Sequence, residues 1–135
     1  LGATPLRGER EALTAALADA TDGDMADVVF EATGNAACTR LTTELVASAG
    51  RIVLIGWNKG PVEVDTVTLM RKEAEVFTSR NSTGAFPAVL RLLADDVIDA
   101  PRMITHRFLL DEAAEAMALL DGGREPSLKV VLAGN

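Results

Sequence analysis

The strongest constraint on the fold is a pair of short strand-like runs separated by a helical stretch. The first reads Asp27-Val28-Val29-Phe30-Glu31-Ala32 and closes on Thr33-Gly34; Asn35 then opens a helical stretch through Leu41, Leu45 and Val46 to Gly50. The second, Arg51-Ile52-Val53-Leu54-Ile55-Gly56, is apolar almost throughout, the pattern of a strand covered on both faces of a parallel sheet. Two strands joined by a helix make a parallel crossover.

The flanking segments extend the same alternation. Residues 7–20 predict a surface helix with apolar Leu13, Ala16 and Leu17, stopped at Thr21-Asp22-Gly23-Asp24. Beyond the break at residues 58–61, residues 62–64 are extended, residues 67–72 allow one or two helical turns and residues 74–79 supply a third strand. Gly84 precedes a helix whose Phe86, Val89, Leu90, Leu92, Leu93 and Val97 predict a broad buried face, with Pro87 tolerated in its first turn. After Asp99-Ala100-Pro101 come a strand over residues 103–108, a helix with apolar Ala113, Ala116, Met117 and Leu120, a Gly122-Gly123 break and a terminal strand at Lys129-Val130-Val131-Leu132. The expected class is α/β, a sheet with helices on both faces followed by a strand-helix-strand tail.

Composition narrows the function. A chain of 135 residues, 48% hydrophobic, can bury the core of one ordinary domain, and nothing in it is long and apolar enough to span a bilayer. Twenty acidic against 13 basic residues, net charge -7, repel a polyanion, which argues against nucleic acid and anionic membrane as partners. Cys38 is the one cysteine and His106 the one histidine, so no internal disulfide forms and the pair cannot supply the ligands of a zinc site. Cys38 reads as a small buried apolar residue, His106 as a hydrogen-bonded structural histidine, and the expected compartment is the cytoplasm. The opening Leu1-Gly2-Ala3-Thr4 has neither the charged start nor the apolar run of a secretion signal, and suggests a truncated or processed chain.

In open parallel sheets ligands bind beyond the carboxyl ends of the strands, where loops diverge and helix N-termini point outward. Three such ends are Thr33-Gly34-Asn35, Ile55-Gly56-Trp57-Asn58 and Thr78-Ser79-Arg80-Asn81. Glycine at the first two lets a flat ligand approach the backbone. Glu31 lies in an apolar strand and must find a partner or shift its pKa.

Taken in order, Phe30-Glu31-Ala32-Thr33-Gly34, Ile55-Gly56, Lys72-Glu73, Val76-Phe77-Thr78-Ser79, Thr105-His106-Arg107-Phe108 and Leu110-Asp111-Glu112-Ala113-Ala114-Glu115-Ala116-Met117 resemble the C-terminal part of medium-chain zinc-type alcohol and polyol dehydrogenases, the group of sorbitol and threonine dehydrogenases. The resemblance covers nearly the whole chain. It implies a partial Rossmann-type parallel sheet, strands 3 to 6 of the nucleotide domain, over residues 1–101, and a C-terminal strand-helix-strand returning to the catalytic domain over residues 102–135. It also implies that NAD or NADP is the cofactor and a small alcohol or polyol the substrate. Ile55, Gly56, Trp57, Thr78, Ser79 and Arg80 would line the nicotinamide and its ribose, Thr33 and Gly34 would also bind the cofactor, and Lys129 would reach the pyrophosphate. Arg80 stands where sorbitol-type members carry an arginine near the substrate, and Asn81 departs from the tyrosine common after it.

No Gly-x-Gly-x-x-Gly occurs, nor the acidic residue that reads the ribose, nor the Cys, His and Glu ligands of a catalytic zinc. No catalytic residue and no metal ligand is therefore assigned to this chain; zinc would belong to the intact enzyme, and the chain alone is expected to be inactive. The resemblance further implies a homodimer or homotetramer through the edge strand running from Ala74 to Ser79. Two other readings stand beside the leading one: a non-catalytic half-sheet kept for association, and a zinc-free quinone reductase relative. Without the first two strands of the order 3-2-1-4-5-6, the opening segment should be poorly anchored and residues 27–32 should carry an unpaired edge.

Overall fold

The computed structural model describes residues 3–123 and 125–134, which form two compact units, Leu1–Ser82 and Thr83–Asn135. Leu1 and Gly2 of the opening segment lie outside the described residues.

In the first unit, α1 (Arg10–Ala20), β1 (Ala26–Glu31), α2 (Ala36–Leu45), β2 (Val46–Leu54), α3 (Thr66–Lys72) and β3 (Glu75–Thr78) follow one another, and the strands form a parallel sheet in the order β1-β2-β3. The register sets Glu31 opposite Leu54 and Leu54 opposite Thr78, so the three strands end level. The apolar core here is small: Val46, Ala47 and Ile52, all from β2, the strand flanked on both sides.

Residues 3–8 form no strand, so the sheet holds three strands where four were expected. The physical reason is pairing: in the order 3-2-1-4-5-6 strand 3 bonds only to strand 2, and this chain holds no strand 2. β1 bonds to β2 alone and keeps an unpaired edge, as expected of residues 27–32.

The helix expected to reach Gly50 stops at Leu45. Residues 46–50 instead bulge out of register between the pairs Ala26–Val46 and Val28–Arg51, with Ala49 at a φ of +56°. The last carbonyls of α2 would be left without partners by this abrupt end. Lys72, at the end of α3, supplies them: its Nζ donates to the carbonyls of Glu44 at 2.9 Å and Val46 at 2.6 Å. Desolvation in that position lowers the Lys72 pKa, and the nearby Glu44 carboxylate partly opposes the change. Asp65 caps α3 by accepting from the Thr68 N–H at 3.0 Å and the Thr68 hydroxyl at 2.7 Å.

The second unit contains α4 (Phe86–Ala94), α5 (Ala100–Met103), β4 (His106–Leu109), a 3-10 turn at Leu110–Glu112, α6 (Ala113–Gly122) and β5 (Val130–Ala133). β4 and β5 pair in parallel with His106 opposite Val130, so the tail is a strand-helix-strand as expected. Ala116 of α6 is its one buried apolar residue among those described. The compact units divide between residues 82 and 83, and α4 groups with the tail. The face of α4 expected to be buried is exposed, with Phe86 at 69% and Leu90 at 62%. The helical period of that segment was legible, but among the described residues nothing in its unit covers that face.

Candidate functional site

Glu31 ends β1 as a carboxylate in an apolar strand and is only 3% exposed, a position a charge tolerates only with partners. The chain supplies them by turning sharply. Gly34 takes a φ of +67°, a left-handed conformation open to glycine at little cost. The turn brings two amides and a hydroxyl onto Glu31 Oε1: the Thr33 N–H donates at 2.8 Å, the Gly34 N–H at 3.0 Å, and the Thr33 hydroxyl makes the shortest bond. The Gly34 N–H also reaches Oε2 at 3.3 Å. The Thr33 hydroxyl is the main reason that the Glu31 carboxyl sits below the usual glutamate range; desolvation opposes it, and the Thr33 and Gly34 amides add to it.

The other face of Glu31 ties β1 to β2. Its carbonyl accepts from both the Ile55 N–H at 2.8 Å and the Gly56 N–H at 2.9 Å. The two glycines then meet without room for a side chain: a Cβ on Gly56 would stand 2.1 Å from Gly34 N and 2.5 Å from Glu31 Oε2, and one on Gly34 would stand 2.6 Å from the Trp57 carbonyl oxygen. On the next strand the Ser79 N–H donates to the Leu54 carbonyl at 2.9 Å, carrying the pairing one step past β3. Arg80 then lies over Trp57, its guanidinium carbon 3.6 Å from the ring centroid. Trp57 remains 70% exposed, so the pair presents a broad flat surface at the carboxyl ends of the strands.

This edge differs from a phosphate cradle in its donors. A helix N-terminus normally offers free amides to an anion. Here the Thr33 and Gly34 amides are taken by the Glu31 carboxylate, those of Ile55 and Gly56 by its carbonyl, and the Ala37 amide by the Asn35 side chain at 2.8 Å. The amides of Trp57 and Arg80 make no such bond among the described residues. The edge offers those two donors, the Ala36 and Cys38 amides at the start of α2, which likewise lack a partner among the described residues, and a stacking surface beside an internal negative charge.

Of the residues singled out from the sequence, the sheet register brings together Thr33, Gly34, Ile55, Gly56, Trp57, Thr78, Ser79 and Arg80. Lys129 belongs to the second unit, where its carbonyl accepts the N–H groups of Thr105 and His106 at 3.0 and 3.3 Å. His106 lies within hydrogen-bond distance of the Thr105 hydroxyl at 3.0 Å and Glu125 Oε2 at 3.3 Å, consistent with a structural histidine. Cys38, expected to be buried, is exposed. The inward side of α2 is occupied by Thr39, Thr42 and Thr43, and position 38 is turned about 100° from 39 around the helix. Sequence reasoning missed that polar stripe, although its i, i+3, i+4 spacing was visible, and with it the bond from Asn58 Nδ2 to the Thr39 hydroxyl at 3.1 Å, which ties the chain after Trp57 to α2. Among the described residues no group of three or more His, Cys, Asp or Glu side chains could hold a metal ion.

A parallel α/β sheet with a glycine-lined site at its carboxyl edge defines a nucleotide-binding class of fold. Comparison with known proteins takes this further. Residues 1–95 match the family described as zinc-binding dehydrogenase. An uncharacterised zinc-type alcohol dehydrogenase-like protein of Haemophilus influenzae is 34% identical over 110 residues, which is 82% of this chain and 32% of that protein. The alcohol dehydrogenase of Thermus sp. ATN1 superposes with a TM-score of 0.83 at 28% identity, over 99% of this chain and 40% of its own. An alcohol dehydrogenase of Escherichia coli CFT073, solved with NADH, superposes with a TM-score of 0.77 at 29% identity, over 84% of this chain and 34% of its own. The chain belongs to the zinc-binding dehydrogenase family. It spans about a third of the length of the relatives it matches.

Proposed function

We propose that the chain is the C-terminal part of an NAD(P)-dependent alcohol or polyol dehydrogenase and forms the nicotinamide side of its cofactor pocket. Residues 1–101 would be the second half of the dinucleotide domain and residues 102–135 the segment returning to the catalytic domain. One observation carries this reading: the level ends of β1, β2 and β3 set Gly34, Gly56-Trp57 and Ser79-Arg80 side by side, with the Thr33 and Gly34 amides already taken by the Glu31 carboxylate. The bound nicotinamide would supply the hydride-accepting carbon. The chain's own residues bind and orient the ring: the Trp57–Arg80 surface takes its face, the Trp57 and Arg80 amides take a carboxamide oxygen, and the two glycines keep side chains out of its path. Arg80 would also brace a substrate hydroxyl through its fork of donors, and Lys129 would reach the pyrophosphate.

Zinc does not fit the residues present, and no step is assigned to it. β3 is an edge strand with all four residues exposed, which favours pairing with a second copy as a homodimer or homotetramer. No helix is long and apolar enough to cross a membrane among the described residues; a cytoplasmic setting is part of this proposal.

The test is an NAD titration of the chain followed through Trp57, its one tryptophan. With half a pocket the expected dissociation constant is millimolar, about 1–10 mM, no tighter than about -4 kcal/mol and still within reach of a titration. Micromolar binding would contradict the half-pocket reading.

A further inference from the structure

Glu31 is itself only 3% exposed, yet it bonds to almost every segment that shapes the surface offered to a ligand. Its carboxylate takes the Thr33 and Gly34 amides, its carbonyl takes those of Ile55 and Gly56, and its Oε2 stands where a Gly56 side chain would have to go. Gly34 in turn lies against the Trp57 main chain, so the height of the Thr33-Gly34 turn determines where Trp57 can sit. Above Trp57 lies Arg80.

An apolar side chain at position 31 would pack in the strand, but it would leave two amides in a partly buried turn without their acceptor. A carboxylate is costly to bury and is retained here with all its bonds directed at one loop. That economy points to placement of the loop as its role.

We propose that Glu31 is a positioning residue of the nicotinamide pocket: by holding the Thr33-Gly34 turn against β2 it sets the stacking surface of Trp57 and Arg80. This rests on the pocket assignment above. Glu31 makes no contact with cofactor or substrate and acts only through the turn. Gln at this position keeps one acceptor oxygen of the same reach, whereas Leu keeps the volume and none of the acceptors.

The experiment uses the full chain labelled with 15N, with NADH as the probe. In wild type, NADH is expected to shift the Gly34, Gly56, Trp57 and Arg80 amide signals. Glu31→Leu should move the Trp57 indole N–H signal before any ligand is added and weaken NADH binding at least tenfold, while Glu31→Gln stays within threefold of wild type. A folded Glu31→Leu chain with unchanged Trp57 signal and unchanged NADH affinity overturns the proposal and leaves the pocket assignment standing. If Glu31→Leu does not fold, Thr33→Val replaces it. That variant loses the hydroxyl's bond to Glu31 Oε1 and the acceptor of the Asn35 N–H; it should move the Trp57 indole N–H signal before any ligand is added and bind NADH about threefold more weakly, and no change in signal and affinity overturns the proposal. Absence of any NADH-induced shift at these four residues in wild type overturns the pocket assignment and the positioning role together.

Discussion

Gly56→Ala tests the packing of the strand ends by the smallest possible change. The new Cβ would lie 2.1 Å from Gly34 N and 2.5 Å from Glu31 Oε2, whereas ordinary contact begins near 3.4 Å, so the chains must part by about 1.3 Å on the nearer side (3.4 less 2.1). Neither close neighbour can yield cheaply. One is backbone, and the other is a carboxylate oxygen whose partner oxygen already holds three bonds. Overpacking of this kind costs about 1–3 kcal/mol. Parting the turn also strains the Gly34 bond to the carboxylate, a charge-assisted bond of about 1.5–3 kcal/mol. Together the expected loss is about 2.5–6 kcal/mol, large beside the roughly 5–15 kcal/mol that typical domains possess and larger still in relative terms for a unit whose apolar core is Val46, Ala47 and Ile52. Urea unfolding followed by circular dichroism reads this directly. Gly60→Ala is the control, since a Cβ there meets nothing within 4 Å; it should stay within about 0.5 kcal/mol of wild type. A Gly56→Ala chain as stable as the Gly60→Ala chain would refute the close approach of the two strand ends.

Three further outcomes are expected. Lys72→Met should lower stability by about 1–3 kcal/mol in the same urea assay, because the Glu44 and Val46 carbonyls lose their donor; an unchanged midpoint would show that water replaces Lys72 without cost. Glu31 has a folded-state pKa below its usual 4.5, so its contribution is complete above pH 4.5 and is lost as pH falls from there through the folded value. The stability gap between wild type and Glu31→Gln should accordingly shrink between pH 5 and pH 3, roughly the range over which carboxylates titrate; a gap that widens on acidification contradicts the assigned bonds. Glu125→Gln should change stability by less than about 0.5 kcal/mol, since its partner His106 is paired across an exposed surface.

The strands, the crossover and the parallel class were legible because β-branched runs bounded by glycine leave few alternatives. The coming together of the three strand ends was legible for the same reason, since strand ends in a parallel sheet fall together. What the sequence could not show was dictated by partners distant in the chain. The helix over residues 35–50 stops at Leu45, where Lys72 from 28 residues beyond Glu44 captures its carbonyls. Glu31 reads as a problem in a strand, and only the turn at Gly34 shows how the problem is solved. The face of α4 has the period of a buried helix and lies exposed, because period reports which side is apolar and not whether anything covers it. Cys38 misled for a related reason: apolar Leu41 and Leu45 suggested one inward side for α2, and three threonines occupy it instead.

The most direct test of the central claim separates the two halves of the cofactor. Nicotinamide mononucleotide and adenosine monophosphate, each titrated into the 15N-labelled chain, carry the same phosphate and differ in the ring. If the carboxyl edge of β1, β2 and β3 is the nicotinamide side, nicotinamide mononucleotide shifts the amides of Gly34, Gly56, Trp57 and Arg80 and adenosine monophosphate leaves them in place. Equal shifts from both nucleotides, or shifts from the adenosine nucleotide alone, would contradict it.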